Sequence, residues 1–533
     1  MTDGRRQLLR LAGAVLQPGF EGTTPPDWIR RWLGEGLGGV ALFARNIVNP
    51  AQVAALTAAL RAEQPDVIVA IDEEAGDVTR MESSRGSSRP GNLALGMIDD
   101  PVVTAEVARD LGHELAAAGI TLNYAPDADV NSNPDNPVIG VRSFGADPHL
   151  VARHTAAWVR GLQSAGVAAC AKHFPGHGNT SVDSHEDVPQ ITASREELAA
   201  CELLPFQAAI DAGVLSIMTG HLIVPAYDAD TPATLSRNIL TDLLRNELGY
   251  QGVVVTDGIE MRAVSARYGL ESATVCALAA GADAICVGGD HADEATAHRL
   301  RAAIVDAVVA GVLPEERLVE AAKRVEQMAG WTAQMRAGRN GHHGPGHNGH
   351  SDGALSPVGL AAARRAVRVV AASVPLLPLT TAAHVVEFAP ARNIAIGAET
   401  PWGLGEPLAG LLPGTTTVRL DAADLTPRGG NGSAPHSAAA DGAGRDHAAL
   451  DSAALDAAAL RPADGRPLVV VVRDVHRHPW MARALAHLRS ARPDAVVVEM
   501  GVPAATGQVH LATYGATRAN AQAAAELLVR GAA

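Results

Sequence analysis

The segment Gly252–Met261 reads G-V-V-V-T-D-G-I-E-M. Its three valines and one threonine are typical of a strand that is buried on both faces, as in a parallel sheet. A carboxylate, Asp257, follows at the end of that run. An aspartate at this point either caps the next helix or projects a reactive group from the edge of the sheet. The segment alone predicts the strand, and the rest of the chain decides between the two roles.

Seven other short apolar runs resemble this one, and helix-length segments separate most of them. The eight predicted strands are Gly13–Gln17, Gly39–Phe43, Val67–Ile71, Thr121–Ala125, Ala168–Lys172, Leu215–Met218, Gly252–Val255 and Ala284–Val287. The predicted helices include Pro50–Glu63, Val102–Ala118, Pro148–Ala165, Ser194–Ala212, Leu235–Leu248 and Ala292–Gly311. Eight strand-then-helix units in succession fit a parallel barrel better than an open sheet. We therefore expect an α/β protein with an N-terminal (β/α)8 TIM-like barrel.

Polar side chains follow most of these predicted strands. They are Asp72, Glu73, Asp127, Asp129, Asn131, Lys172, His173, His221, Asp257 and Asp290. In a parallel barrel the carboxyl ends of all strands meet at one rim, where active sites are built. This position favours a nucleophile or an electrostatic stabiliser as the role of Asp257. The acidic residues Glu73, Glu74 and Asp77 are interpreted as solvated.

The composition changes at Arg336–Pro357, which is rich in Gly, His and Asn and lacks the apolar residues of a core. We interpret this segment as a linker between a catalytic barrel, residues 1–335, and a second domain, residues 358–533. Strand-like runs in that domain predict a smaller α/β layered sandwich. They are Arg368–Ala371, Asn393–Ile396, Thr416–Leu420, Pro467–Val472 and Ala495–Glu499. Residues 426–463 are interpreted as a low-complexity insertion within it.

The chain has 533 residues and a formal net charge of −15. This acidic balance argues against a nucleic-acid partner or a membrane surface, and no apolar run approaches the roughly 20 residues of a membrane span. The stretch after Arg5 and Arg6 resembles a twin-arginine signal, but Arg10 interrupts it, so we expect a cytoplasmic protein. No phosphate-binding glycine motif and no metal-ligand spacing is recognisable, so we expect no cofactor and no metal. We expect a monomer or a weak oligomer.

The segment Lys172–His185 reads K-H-F-P-G-H-G-N-T-S-V-D-S-H. A loop broken by Gly and Pro gains little stability from so many ionisable groups, which indicates a functional site. Asp183 and His185 are two residues apart, so in an extended segment their side chains lie on the same face. A carboxylate that holds an imidazole in one tautomer is suited to general acid/base catalysis. The alternative is a surface loop with an incidental hydrogen bond.

Other residues at the predicted rim are candidates for binding a ligand. In V-I-V-A-I-D-E-E-A-G-D-V-T-R (Val67–Arg80), an ionised Asp72 either accepts sugar hydroxyls or caps a loop. Arg80 closes on the same ligand or forms a surface salt bridge. Arg142, after the fourth strand, is placed to donate two hydrogen bonds to hydroxyl or carboxylate oxygens. Lys172 is one of only two lysines in the chain, which indicates a need for a compact ammonium.

Four motifs together resemble glycoside hydrolase family 3, in its β-N-acetylglucosaminidase branch. They are K-H-F-P-G-H-G with D-S-H, V-V-T-D-G-I-E-M, I-D-E-E-A-G-D-V-T-R and N-P-V-I-G-V-R-S-F-G. The similarity runs through most of residues 10–330 and returns weakly in residues 466–530. The resemblance implies a small carbohydrate substrate, namely terminal β-linked N-acetylglucosamine (GlcNAc) on peptidoglycan fragments or short GlcNAc glycosides.

The resemblance also implies a role for each candidate residue. It makes Asp257 the nucleophile of a retaining mechanism, His185 the general acid/base and Asp183 the partner of His185. The residues that it places in the pocket for the terminal GlcNAc are Asp72, Arg80, Arg142, Lys172 and His173. These roles agree with the chemistry that the residue types and positions favour on their own.

The loop after the third strand departs from the family pattern I-D-Q-E-G-G-R-V-x-R. This chain has Glu73 for Gln, Ala75 for Gly and Asp77 for Arg, whereas Asp72 and Arg80 are retained. The added negative charge counts against the family's usual preference for an anionic aglycone, such as a muramic acid residue.

Two other functions remain open at the level of sequence. One is a glycoside phosphorylase or a broader β-glucosidase on the same scaffold, because a neutral His repels an incoming phosphate less than a carboxylate does. The other is a non-catalytic protein that binds or senses sugars. The intact set of Asp257, Asp183 and His185 argues against this last function.

Overall fold

The computed structural model describes residues 3–180, 188–289, 292–340, 353–370, 377–390, 396, 400–427, 449–503 and 509–531. The chain forms two compact units. The first comprises Met1–Ser83 with Asp99–Gly353, and the second comprises Ser84–Ile98 with Ala354–Ala533. The segment Ser84–Ile98 therefore belongs to the second unit, although it lies within the stretch of sequence assigned to the barrel. Among the described helices, none combines the length and apolarity needed to cross a membrane.

The first unit contains all eight predicted strands, each within a few residues of its expected bounds. They are β1 (Leu16–Pro18), β2 (Gly39–Leu42), β3 (Ile68–Ile71), β4 (Leu122–Asn123), β5 (Ala168–Phe174), β6 (Ser216–Thr219), β7 (Val253–Thr256) and β8 (Ile285–Val287). Strands β2 to β7 form one parallel sheet in chain order, and β1 pairs in parallel with β8. A parallel bridge from Val255 to Ala284 links β7 to the start of β8. The result is an α/β fold with a curled parallel sheet, in which no ladder joins the described strands β1 and β2.

One helix precedes β1, and helices follow most of the strands. They are α1 (Asp3–Ala14), α2 (Asp27–Gly34), α3 (Pro50–Glu63), α4 (Asn92–Ile98, in the second unit), α5 (Pro101–Ala117), α6 (Pro148–Ser164), α7 (Arg195–Ala200), α8 (Leu203–Asp211), α9 (Arg262–Tyr268), α10 (Leu270–Ala280), α11 (Glu294–Val309) and α12 (Glu315–Asn340). Helices α3, α5 and α6 begin with the same signal. Asn49, Asp100 and Asp147 each accept a backbone N–H, and a proline follows each cap.

Three predicted segments differ in detail. Ser194–Ala212 breaks into α7 and α8, because Pro205 has no N–H to donate to the carbonyl four residues earlier. Leu235–Leu248 contains a π-helix, Asn238–Glu247. Helix α12 continues to Asn340, through the first residues of the predicted linker, and residues 341–352 lie outside the described residues.

The inside of the curled sheet is filled by buried apolar side chains from β2 to β8 and from α12. They include Ala41, Ile68, Ala70, Leu122, Ala168, Cys170, Met218, Val253, Val255, Cys286, Val325 and Met328. Close packing of buried side chains restricts the positions of these side chains and of the strand ends. The core therefore holds the carboxyl ends of the strands, where the polar residues lie, as a rigid frame.

The second unit is a six-stranded sheet with the order β11-β10-β12-β13-β14-β9, parallel except for β9. Its strands are β9 (Arg368–Val369), β10 (His384–Phe388), β11 (Thr416–Leu420), β12 (Leu468–Val472), β13 (Val496–Glu499) and β14 (Leu511–Ala512). Its other helices are α13 (Pro357–Ala366), α14 (Gly405–Leu411), α15 (Ser452–Leu455), a π-helix (Asp456–Leu460), α16 (Pro479–Ala491) and α17 (Arg518–Arg530). One apolar cluster joins the sheet to α13, α14 and α17, and a separate cluster joins it to α15 and α16.

Parts of this unit differ from the expectation. Strand β10 is not predicted, and most of the strand predicted at Asn393–Ile396 lies outside the described residues. Residues 428–448 of the predicted insertion also lie outside them. The end of that insertion is part of the fold, because Leu455, Ala459 and Ala463 are buried in the core.

Candidate active site

The strand register brings the ends of β5, β6 and β7 to one level. Phe174 of β5 lies beside Thr219 of β6, and Thr219 lies beside Thr256 of β7. His173 and Asp257 are next to these paired residues in the chain. The polar groups predicted at the ends of the fifth and seventh strands therefore lie at the same edge of the sheet.

Asp72, after β3, is held between two cations at this edge. Lys172 Nζ forms an ion pair with Asp72 Oδ1, and Arg80 Nη2 lies 3.2 Å from Asp72 Oδ2. A parallel bridge between Asp127 and Lys172 aligns β5 with the segment after β4. The Asp72 side chain remains 24% exposed, whereas that of Lys172 is 3% exposed. The carboxylate is thus fixed and reachable, as a group that accepts hydroxyl hydrogen bonds must be.

Glu74 lies beneath Asp72 and joins two buried cations. Arg142 donates to it with both arms of the guanidinium, Nε to Oε2 at 2.9 Å and Nη2 to Oε1 at 2.7 Å. Lys172 Nζ lies 2.7 Å from Glu74 Oε1. Burial alone would raise the pKa of Glu74, but the charges of Arg142 and Lys172 outweigh it and hold that pKa below its usual range. The expectation that Glu74 is solvated is therefore wrong, because its side chain is 3% exposed.

His173 is oriented by a buried carboxylate. Its Nδ1 lies 2.7 Å from Asp129 Oδ2, and the backbone N–H of His177 donates to Asp129 Oδ1 at 2.6 Å. Because an ionised carboxylate only accepts hydrogen bonds, we assign the ring proton to Nδ1. Nε2 then accepts a long contact of 3.5 Å from Arg142 Nη2. Burial would raise the pKa of Asp129, but the interaction with His173 lowers it.

Asp127 completes the buried network. Burial, followed by the charge of Asp129, raises its pKa well above the usual value, and Arg142 Nη2 lies 3.7 Å from its Oδ2. The possible ligand atoms of Asp127, Asp129 and His173 lie within 4.8 Å of one another. A metal ion there would compete with the proton on His173 and with the Arg142 cation, so the arrangement favours a hydrogen-bonded network over a metal site.

Asp257 follows β7 directly and is half-buried. Its backbone N–H donates to the Thr219 carbonyl at 3.3 Å, and its Oδ1 accepts from the backbone N–H of Gly258 at 2.8 Å. Burial raises the pKa of the Cys170 thiol to about 12, and the charges of Asp72 and Asp257 both act in the same direction. The backbone of Asp257 is thus fixed to β6 at the carboxyl end of β7.

His221 supports the backbone after Asp257. Its Nε2 donates to the carbonyl of Gly258 at 2.9 Å, and its Nδ1 lies 2.8 Å from Thr234 Oγ1. The ring is buried and has a hydrogen-bond partner on each side. Its contacts link the end of β6 to the turn that carries Asp257, which makes His221 a positioning residue for that turn.

The predicted site residues fall into two groups. The ones that the structure joins in one network at the carboxyl edge are Asp72, Arg80, Arg142, Lys172 and His173. Asp257 leaves the same edge from β7. Asp183, His185 and Asp290 lie outside the described residues, so the roles assigned to Asp183 and His185 stay predictions.

Residues 24–328, more than half of the chain, match the sequence profile of the glycosyl hydrolase family 3 N-terminal domain. The chain belongs to glycosyl hydrolase family 3. Its relatives include β-hexosaminidase A of Pseudoalteromonas piscicida, 37% identical over 330 residues that cover 57% of this chain and 55% of that protein. A β-hexosaminidase of Stenotrophomonas maltophilia is 37% identical over 280 residues, which cover 51% and 83% of the two chains. The match spans about half the length of the Pseudoalteromonas relative.

A solved structure matches both units of the chain. It is a glycoside hydrolase family 3 β-N-acetylglucosaminidase from a Paenibacillus species, with 32% identity and a TM-score of 0.83. The match covers 100% of this chain and 97% of that chain. Family membership identifies the chain as a glycosidase.

This member of family 3 has Glu73 where the family pattern leads us to expect Gln. Glu73 Oε2 accepts hydrogen bonds from Thr79 Oγ1 at 3.1 Å and from the backbone N–H groups of Arg80 at 2.7 Å and Met81 at 2.8 Å. The Asn123 side chain holds the Glu73 backbone at both its N–H and its carbonyl. The side chain is buried rather than solvated, and burial raises its pKa to about 7. Glu73 thus ties the loop that carries Arg80 to the end of β4.

Glu73→Gln is expected to remove a loss of stability at higher pH. The folded chain binds the Glu73 proton more tightly than the unfolded chain, because the pKa rises from 4.5 to about 7. The stability that this gives is complete below about pH 4.5 and is lost as the pH rises through about 7. Gln mimics the protonated carboxyl, so from pH 4.5 to 8 the wild type should lose about 3 kcal/mol relative to the variant.

Urea unfolding at a series of pH values measures this difference. Glu106→Gln, at an exposed position on α5, is the matched control and should follow the wild type at every pH. Stability curves for Glu73→Gln and wild type that run parallel from pH 4.5 to 8 would contradict the assignment.

Proposed function

We propose that this chain is a retaining β-N-acetylglucosaminidase that removes terminal β-linked GlcNAc from peptidoglycan fragments or short GlcNAc glycosides. The observation that carries the proposal is the reachable carboxylate of Asp72, fixed by Arg80 and Lys172 at the edge from which Asp257 projects. A carboxylate held in this way accepts hydrogen bonds from two neighbouring hydroxyls of a pyranose. The names of the relatives, β-hexosaminidase and β-N-acetylglucosaminidase, support GlcNAc as the sugar.

The first chemical step forms a covalent glycosyl-enzyme. A carboxylate oxygen of Asp257 attacks the anomeric carbon, and the bond from that carbon to the leaving oxygen breaks. His185 gives its proton to the leaving oxygen, and Asp183 stabilises the protonated ring before the transfer.

The second step releases the sugar. Neutral His185 takes a proton from a water molecule, which attacks the anomeric carbon, and the bond to Asp257 breaks. Two displacements at one carbon restore the β configuration. Retaining enzymes normally hold two carboxyl groups roughly 5 Å apart, and in the mechanism that we propose His185 replaces one of them.

The scaffold that we propose for this chemistry is a closed (β/α)8 barrel followed by an α/β sandwich. The pairing of β1 with β8, the bridge from Val255 to Ala284 and the common core of β2 to β8 support the barrel. Helices packed against the second sheet in two separate apolar clusters support the sandwich. In such a barrel the ends of β3, β5 and β7 face one pocket.

His185→Ala is expected to affect substrates according to their leaving groups. A GlcNAc disaccharide needs a proton on its leaving oxygen, so its turnover should fall by about 10²-fold to 10⁴-fold. The p-nitrophenyl β-GlcNAc glycoside leaves as a stable phenolate and should lose less than about tenfold in the glycosylation step. Mass spectrometry of the products that the wild type forms should show free GlcNAc both with and without phosphate in the buffer.

His149→Ala, at an exposed histidine on α6, is the matched control and should leave both activities unchanged. An equal loss on the two substrates would remove His185 from the role of general acid. Formation of GlcNAc 1-phosphate in the presence of phosphate would instead identify a phosphorylase.

A further inference from the structure

A cavity of about 580 Å³ lies within the second unit. Its size falls in the range of sites for small molecules, roughly 300–1,000 Å³. Residues of β10 and β11, of the segment before α14, of α14 itself and of the start of α17 line the cavity. The polar and aromatic side chains among them are Arg85, Glu387, Trp402, Glu406, Thr417, Arg419, Thr517 and Arg518.

The order of the strands places a change of direction between β10 and β12. From β10 the chain passes to β11 on one side, and it then returns to β12 on the other side of β10. Helix α14, after β10, packs in one apolar cluster of the sheet, and α16, after β12, packs in the other. Parallel sheets bind ligands outside the carboxyl ends of their strands at such a change of direction. The cavity borders this point through Glu387 of β10, and its other strand residues, Thr417 and Arg419, come from β11.

The charge of the lining is opposite to that of the chain. Three arginines line the cavity with two glutamates, whereas the whole chain has a formal net charge of −15. One of these carboxylates, Glu387, is already engaged, because its Oε1 accepts the backbone N–H groups of Leu404 at 2.8 Å and Gly405 at 3.0 Å. Glu387 is also the partner of Arg419, so the charges of this pair cancel, and the lining keeps a formal charge of +1 (3 − 2) that favours an anion over a cation.

Arg419 is held in place before any ligand binds. Its Nε and Nη2 donate to Glu387 Oε2 at 3.1 and 2.5 Å, and Nη2 also donates to the Trp402 carbonyl. The guanidinium carbon lies 4.6 Å from the centre of the Trp402 ring. Nη1 makes no hydrogen bond to the residues that the structure describes. A preorganised guanidinium loses little entropy when it binds a carboxylate or phosphate.

Glycines bring the wall of the cavity close to this arginine. A Cβ atom on Gly403 would lie 2.3 Å from Glu387 Oε1, and one on Gly405 would lie 2.2 Å from Thr417 Oγ1. The segment before α14 therefore packs directly on the Glu387–Arg419 pair and on β11. The Thr417 hydroxyl adds a group that both donates and accepts hydrogen bonds, which suits a ligand with hydroxyls.

We propose that the second unit binds a small sugar or polyol bearing a carboxylate or phosphate group in this cavity. The anionic group pairs with Arg419, and the hydroxyls contact Thr417 and the neighbouring backbone. None of the residues that line this cavity has a role in the proposed catalytic mechanism. If the cavity binds no such ligand, the proposed mechanism still stands. If the proposed mechanism is wrong, the cavity can still bind this ligand.

Isothermal titration of the full chain tests the proposal with three probes. Glucose 6-phosphate carries a phosphate, glucuronate carries a carboxylate, and glucose is the neutral control. Binding of either charged probe, weakened as ionic strength rises, is expected, and the probe that binds identifies the anionic group. Arg419→Lys keeps the positive charge but loses the planar guanidinium, which binds an anion through two N–H groups. Thr417→Glu adds a carboxylate that repels an anion, at an exposed position. Each should weaken binding by at least about tenfold.

Arg461→Gln, at an exposed arginine, is the matched control and should bind like the wild type. Hydrolysis of the aryl GlcNAc glycoside by Thr417→Glu should equal that of the wild type, which shows that the variant is folded. The proposal is overturned if neither charged probe binds at up to about 10 mM, if glucose binds as well as they do, or if binding survives in Thr417→Glu.

Discussion

Replacing Asp257 by Asn is expected to lower kcat for aryl β-GlcNAc glycosides by about 10⁴-fold or more, equivalent to about 5 kcal/mol of transition-state stabilisation. An amide has the shape of the carboxylate but is a poor nucleophile, so the glycosyl-enzyme does not form. The fold should tolerate the change, because Asp257 is half-buried and the hydrogen bond from the Gly258 N–H can be made to the amide oxygen. Steady-state release of p-nitrophenol measures the effect.

Asp230→Asn is the matched control, since Asp230 is exposed and follows a different strand. Its kcat should equal that of the wild type. Turnover by Asp257→Asn within tenfold of the wild type, at unchanged stability, would remove Asp257 from the role of nucleophile.

Glu74→Gln is expected to destabilise the first unit by about 3–5 kcal/mol. The change leaves Arg142 and Lys172 facing each other in a buried site without the anion that separates them. Removing one partner of a buried pair costs more than the pair contributes, because the remaining charge has lost its hydration. Asp72 should also lose its fixed position, since it shares Lys172 with Glu74, so KM for the GlcNAc glycoside should rise.

Urea unfolding followed by tryptophan fluorescence measures the stability change. Glu271→Gln breaks an exposed ion pair with Arg299, 2.9 Å long, and should cost less than about 1 kcal/mol. Equal effects of the two substitutions would show that the buried network contributes no more than a surface ion pair.

The strands of the first unit are well predicted because each is a short apolar run between clear helix signals. Strand β10 is missed because its sequence, H-V-V-E-F, places a glutamate within an apolar run. Glu387 is buried there because Arg419, 32 residues away in sequence, and the backbone N–H groups of Leu404 and Gly405 satisfy its carboxylate. Local pattern carries no information about such a partner. The same holds for Ser84–Ile98, which follows β3 in the chain but packs with the second unit.

The candidate site shows a similar division. The rim residues Asp72, Lys172 and Asp257 are predicted because Asp72 and Asp257 follow apolar strands and Lys172 ends the predicted strand Ala168–Lys172. The buried role of Glu74 is not predicted, since its partner Arg142 lies 68 residues further along the chain. One signal was present, because Glu74 is two residues after Asp72 and an extended segment puts both on the same face.

A covalent bond between GlcNAc and Asp257 is tested most directly by trapping it. A 5-fluoro derivative of β-GlcNAc fluoride slows both displacements, because fluorine destabilises the positive charge of the transition state, while the fluoride leaving group keeps the first step fast. Intact-protein mass spectrometry should show one added sugar per chain, and peptide mapping should place it on Asp257. An adduct on another residue, or hydrolysis of the GlcNAc glycoside with no adduct at any time, would contradict the proposed mechanism.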